Sequence, residues 1–250
     1  MTNLSAALCE GTKQAHSLTA NTAYMKCLMQ GVVKRSIFRQ LLGNLYFIYG
    51  TLEDTLSTYR EHPILGKIYF PELSRTHKLA ADLEFYYGRS WEDRIKPTRS
   101  ALGYVMHLQE LANHNPTLLV AHAYTRYLGD LSGGQAIKNR VRMALDLPED
   151  AGTAMYDFDC LPTPGDRHQF KAIYRNALDA LPLEDAAIEQ IVAEANYAFA
   201  LNRDVMQDLE AAIKAAIGSQ EFEELTHQSH LRHTELRLDQ TQKFALSAPE

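Results

Sequence analysis

No apolar run in the 250-residue chain approaches the ~20 residues that span a bilayer. The N-terminal MTNLSAALCEGTKQAH has no basic stretch followed by an apolar core, so a secretory signal is not expected there. No anchor is expected from the C-terminal LDQTQKFALSAPE. Cysteine is scarce: Cys9, Cys27 and Cys160 are widely spaced and form no CxxC pair. A disulfide scaffold and a zinc ribbon are therefore disfavoured. A basic excess is missing too, because 25 Lys and Arg stand against 31 Asp and Glu for a net charge of -6. That argues against a general nucleic-acid partner. Period-two alternation is also lacking, which removes the usual signal for strands. Together these absences point to a cytoplasmic protein of a reducing compartment, without membrane anchor.

What remains is a chain able to bury a core, with 46% hydrophobic and 22% charged residues. Its length suits one domain or at most two. The nine prolines fall where elements should end, and between them apolar residues recur at helical spacing. This pattern predicts helices over about 4–17, 21–30, 36–61, 71–87, 98–113, 116–148, 166–181 and 183–218. Ser36 and Asn115 are the expected N-caps of the third and sixth, with Pro116 at the first helical position. Residues 219–250 are polar and weakly periodic, and are expected to form a tail with some helix. The expectation is a single all-α domain over 1–218.

One helix is at odds with its own composition. Within LLVAHAYTRYLGDLSGGQ stand Gly129, Asp130, Ser132, Gly133 and Gly134. Each interior glycine costs roughly 1 kcal/mol relative to alanine. Two shorter helices joined by a Gly-Gly turn would explain this, as would tight helix–helix packing. The third reading is a kinked helix whose backbone must approach a flat ligand closely. At 100° per residue, Asp130 lies azimuthally between Gly133 and Gly134, so a lone carboxylate would stand on a surface free of side chains. Elsewhere, His16 ends the first helix on the face of Leu8 and Cys9, where capping or surface exposure is the ordinary explanation. Lys171 and Arg175 are spaced i,i+4, a geometry able to hold a carboxylate pair.

These stretches resemble the haem oxygenase family over nearly the whole chain to about Gly218. LLVAHAYTRYLGDLSGGQ (Leu118–Gln135) is similar to that family's distal-helix signature, and TKQAH (Thr12–His16) to the segment carrying its proximal histidine. NLYFIY, YFPEL, DLEFYYG and FKAIYR match further family blocks. HPILGKIYFPEL looks most like the soluble cyanobacterial form. The resemblance implies haem b, as substrate and cofactor, sandwiched between a proximal helix and a kinked distal helix. His16 would be the axial ligand of the haem iron. Gly129, Gly133 and Gly134 would lie against the distal face, Asp130 would hold distal water, and Tyr49 would help to order it. Tyr124, Lys171, Arg175 and Lys13 would meet the propionates. The implied reaction opens the α-meso carbon with dioxygen and electrons, giving biliverdin IXα, carbon monoxide and ferrous iron. Reduced ferredoxin is the implied donor, and biliverdin-using reductases of bilin chromophore synthesis would follow.

Two positions depart from the family pattern. Cys9 stands seven residues before His16, where the family usually has a basic residue, and Ala20 replaces a commonly acidic one. Both bear on how firmly haem is held. Rival readings also remain. A di-iron carboxylate bundle would need two Glu-x-x-His pairs on core helices, and Glu224–His227 in the polar tail is the single match. A thiaminase-like enzyme of this general fold would want an activated cysteine. A non-catalytic haem or bilin carrier needs only binding.

Overall fold

The frame is set by an apolar stripe on one long helix. In Arg35–Thr58 (α4), Phe38, Leu41, Leu42, Leu45, Ile48, Tyr49, Leu52 and Leu56 are all buried. Their i, i+3/i+4, i+7 spacing puts them on one side of the helix. The computed structural model describes residues 3–226. Before α4 come Leu4–Gly11 (α1), Lys13–Ala20 (α2) and Ala23–Met29 (α3). After it come Thr76–Tyr87 (α5), Arg99–His114 (α6), Leu119–Ala123 (α7) and Gly129–Leu145 (α8). Pro164–Asp179 (α9), Asp185–Gln207 (α10) and Glu210–Ile217 (α11) complete the order, and residues 219–226 are again helical. No strand occurs among the described residues. The all-α, one-core expectation therefore stands, and residues 227–250 of the expected tail lie outside the described residues.

Helix α4 packs on α5 and α6, while α10 runs against α1, α2, α6 and α7. One apolar cluster joins residues from Leu4 to Ile213. None of the described helices is long and apolar enough to cross a membrane.

Several boundaries differ from the sequence pattern for identifiable reasons. The expected single helix over 4–17 is two. Thr12 sits at φ -108° and ψ 1°, its hydroxyl donating to the Leu8 carbonyl at 2.7 Å. Such back-bonding bends helices. Asn196 of α10 donates to the Gly11 carbonyl at 3.0 Å. A Cβ at Gly11 would come within 2.5 Å of Val192 Cγ1, so the break is pressed directly onto α10.

The two expected N-caps fare differently: Ser36 lies inside α4, whereas Asn115 does precede Pro116 at the cap position of its turn. Lys34 occupies the cap position of α4, and Asn115 makes no side-chain capping bond. Pro116 and Pro71 each open a short 3-10 turn, Pro116–Leu118 and Pro71–Leu73, rather than an α-helix. Helix α5 starts later, and its free amides are met from outside: the Glu53 carboxylate of α4 accepts from the Arg75 and Thr76 amides and the Thr76 hydroxyl. A carboxylate at a helix N-terminus also meets the positive end of the macrodipole. Helix α9 starts at Pro164, two residues ahead of the expected 166. Thr163 and Asp166 form a reciprocal capping box on α9.

Candidate functional site

Helices α1 and α2 form one wall of a cavity of about 660 Å³, contributing Cys9, Thr12, Lys13, His16, Thr19 and Ala20. Known small-molecule sites span roughly 300–1,000 Å³. The sequence periodicity places His16 on the face of Leu8 and Cys9, and the break at Thr12 re-aims the second helix beneath it. The His16 ring meets the edge of Phe199 with centroids 5.8 Å apart. Among the described residues His16 is the one histidine lining this cavity.

The opposite wall is the glycine-containing helix. A π-turn, Tyr124–Leu128, interrupts it between α7 and α8. Gly129 follows with ordinary helical angles, φ -60° and ψ -51°. The departure from a regular α-helix thus falls one turn before the glycines, as an extra residue in the ladder. The glycines do something else. A Cβ built at Gly129 or Gly133 would meet no atom within 4 Å, and both residues line the cavity. Their missing side chains leave that space free. Gly134 instead lets the Tyr156 ring approach, since a Cβ there would stand 3.3 Å from Tyr156 Cδ1.

Tyr156 belongs to the 3-10 turn Ala154–Tyr156 behind this wall. Asp82 of α5 holds the turn, accepting from the Ala154 and Met155 amides at 2.7 and 2.9 Å. Burial pushes the Asp82 carboxyl up to about 6, against the pull of those two amides. Gln135 donates to the Tyr156 carbonyl at 2.7 Å and ties the turn to α8.

Asp130 does not stand alone, as its glycine neighbours suggested. It is buried, and its Oδ2 accepts a short hydrogen bond from the Tyr49 hydroxyl of α4. Arg126 Nε donates to the Tyr49 oxygen at 3.1 Å, with its guanidinium 4.7 Å from the Tyr49 ring centre. Arg126 Nη1 donates in turn to Asn202 Oδ1 of α10. Four side chains from three parts of the chain thus form one network. Burial holds the Asp130 carboxyl above the usual carboxylate range, with Arg126, Tyr49 and Arg75 pulling it back. Burial likewise keeps the Tyr49 phenol protonated well past its ordinary range. The network leaves a carboxylate on the cavity wall, braced by a phenol and a cation.

The remaining sequence candidates divide. Tyr124 is partly buried on the cavity wall, and Arg175 of α9 lines the mouth from an exposed position. Lys13 lines the cavity too, but pairs with Glu10 at 2.7 Å. Lys171 is half-buried on α9 and is not part of the lining. Tyr49 reaches the site through Asp130 rather than by lining it. Arg126 and Asn202 were missed by the sequence reading. Arg126 precedes Asp130 by four residues, a spacing that brings side chains together on a helix, and that signal was available. For Asn202, 72 residues after Asp130, no local signal exists.

An all-helical fold with a cavity between a histidine-bearing helix pair and a glycine-walled helix interrupted by a π-turn marks a class of proteins built to take a flat, metal-bearing ligand. The comparisons identify which one. The family model described as "Heme oxygenase" matches residues 2–208. "Heme oxygenase 2" of Synechocystis sp. is 59% identical, covering 95% of this chain and 95% of that protein. "Heme oxygenase 1" of Nostoc sp. is 41% identical over 94% of this chain and 97% of that protein. The crystal structure of the Synechocystis heme oxygenase-2 in complex with heme and NO superposes with a TM-score of 0.89 at 60% identity, covering 90% of this chain and 92% of that one. The chain belongs to the haem oxygenase family.

Proposed function

We propose that the protein oxidatively cleaves haem at the α-meso carbon, consuming dioxygen and electrons and releasing biliverdin IXα, carbon monoxide and ferrous iron. The observation carrying this reading is the pairing of His16 on one cavity wall with Asp130, Gly129 and Gly133 on the other. The residues fit a flat macrocycle, since the two positions where a Cβ would enter open space lie on the wall facing the histidine helix. Bound haem supplies the iron at which dioxygen is activated and the carbon that is oxidised.

The chain's own residues then have separate tasks. His16 presents an imidazole nitrogen as axial ligand. Gly129 and Gly133 keep the opposite wall low, limiting how a small ligand can tilt. Asp130 keeps Oδ2 on the Tyr49 hydroxyl, so Oδ1 is available to hold a water in the cavity. Arg126 fixes the Tyr49 oxygen and therefore the carboxylate's orientation. A preorganised polar group of this kind acts without reorganisation cost during reaction. Arg175, Tyr124 and Lys13 of the lining, with Lys171 one turn before Arg175 on α9, are the groups for the two propionates.

Reduced ferredoxin is the electron donor in this reading. Lys34 and Arg35 are exposed at the start of α4 and offer positive charge to an acidic partner despite the net charge of -6. The biliverdin would pass to bilin-forming reductases in the cytoplasm. Titrating the protein with haem and then adding reductant under air tests the reading. The Soret band should give way to a bilin spectrum, with the pigment identified as the IXα isomer. A Soret band that persists through added reductant and dioxygen would mark a carrier instead.

A further inference from the structure

A second group of metal-ligating side chains lies outside the cavity. His107 of α6, His122 of α7 and Glu194 of α10 bring three donor atoms within 4.8 Å of one another. Glu194 Oε1 accepts from His107 Nε2 at 2.7 Å and from His122 Nε2 at 2.9 Å. His122 is fully buried, and its Nδ1 lies 3.0 Å from the Tyr104 hydroxyl. The His107 and Glu194 side chains keep 19% and 12% of their surface, so one side of the group faces water. None of the three lines the cavity.

We propose that His107, His122 and Glu194 form a binding site for a divalent transition-metal ion, separate from the haem site. The donor set is two imidazoles and one carboxylate, a combination that holds zinc with a further position left open. Its geometry is close to what such an ion needs. Ligand atoms about 2.0–2.1 Å from a tetrahedral metal stand roughly 3.3 Å from each other. The two hydrogen bonds to Glu194 are shorter than that by about half an ångström, while the two ring nitrogens stand up to 4.8 Å apart, so His107 must swing toward His122 as both part slightly from the carboxylate. The partly exposed His107 and Glu194 are free to make that movement. The buried His122 stays in place, held at its far nitrogen by Tyr104 as second-sphere partners hold ligating histidines.

Binding is balanced in protons. A carboxylate only accepts, so without metal each Nε2 carries its hydrogen toward Glu194. With metal, each Nε2 gives its lone pair and the hydrogen moves to Nδ1. No proton need leave the site. At His122 the new Nδ1–H donates to the Tyr104 oxygen, reversing that bond. Tyr104 adjoins Asn202, which receives Arg126, so the ion's arrival is felt one step from the cavity network.

Zinc titration of the full-length, haem-free chain against a chromophoric chelator tests this. The parent should take up one Zn²⁺ per chain at this site, and His107→Ala and Glu194→Gln should each weaken it at least about tenfold. Tyr104→Phe, which removes the orienting hydroxyl, should weaken it by roughly tenfold. A variant with His227, His230 and His233 changed to Asn should keep the site, separating it from the histidines of the tail. Haem binding by His107→Ala, followed by its Soret band, should equal the parent and certifies the fold. Equal zinc affinity in parent, His107→Ala and Glu194→Gln would overturn the proposal. So would loss of the bound equivalent in the tail variant, or no uptake by the parent at micromolar zinc.

Discussion

The two walls of the cavity are built on opposite plans. On the histidine side, α1 and α2 present His16, Cys9 and Lys13, all exposed, and Lys13 pairs with Glu10 one turn away. On the glycine side, Asp130 is buried and tied through Tyr49 and Arg126 to Asn202, with the Asp82-held turn behind it. One wall offers ligands and is otherwise loosely furnished; the other is fixed from three directions. The difference teaches where function should be brittle. Change on the first wall alters what is held, whereas change on the second alters what happens to it.

The largest effect should come from crossing the two walls. Asp130→Ala should bind haem with a ferric spectrum near the parent's but lose biliverdin formation by roughly 10²-fold, the scale for removing one preorganised polar group. His16→Ala should do the converse to the spectrum, losing the axial-ligand signature while some haem remains bound through apolar contacts. Absorption spectra and single-turnover bilin yields on both variants check the pair. Normal yield in Asp130→Ala, or an unchanged ferric spectrum in His16→Ala, would erase the distinction between the walls.

A middle-sized effect probes the rigidity behind the glycine wall through pH. The Asp82 carboxyl is raised to about 6 by burial, above its unfolded value. Its protonated form therefore favours the folded chain, fully so below about pH 4 and no longer once pH has risen through 6. This runs opposite to the usual paired carboxylate. A rise of about two pH units corresponds to about 3 kcal/mol at most. Denaturant unfolding of parent and Asp82→Asn at pH 4 and pH 7 isolates it. The parent should lose stability relative to the variant on going to pH 7, and parallel behaviour at the two pH values would refute the assignment.

The same contrast explains what the sequence disclosed. The all-α fold was legible because proline boundaries and apolar periodicity agree over most of the chain. His16 and the glycine helix were legible because their residues are contiguous. The break at Thr12 was hidden because the contacts that reinforce its local back-bond, Val192 and Asn196 on α10, lie about 180 residues away. The π-turn was hidden because YTRYL carries ordinary helix formers, and one extra residue per turn leaves no compositional trace. Asp130 looked solitary because its partner Tyr49, like the Asn202 that Arg126 reaches, comes from another helix. Residues that act through neighbours in sequence can be read from it, and those that act through packing emerge only from the fold.

The smallest expected effect returns to the histidine wall, at Cys9. Cys9 is exposed and lines the cavity two residues before the Gly11 break. A cysteine brings no charge to a propionate, and Lys13 divides its own charge with Glu10. Cys9→Arg should therefore slow haem dissociation by roughly two- to fivefold, the range of an exposed ion pair. The gain should shrink as ionic strength rises, because such contacts are screened over about 8–10 Å at physiological salt. The bilin isomer should stay the same, since the glycine wall and Arg175 are untouched. Haem dissociation measured for parent and variant at two salt concentrations decides it. A rate indifferent to the arginine at both would mean that Lys13 or Arg175 already meets the propionates, and that the histidine wall is better furnished than its exposure suggests.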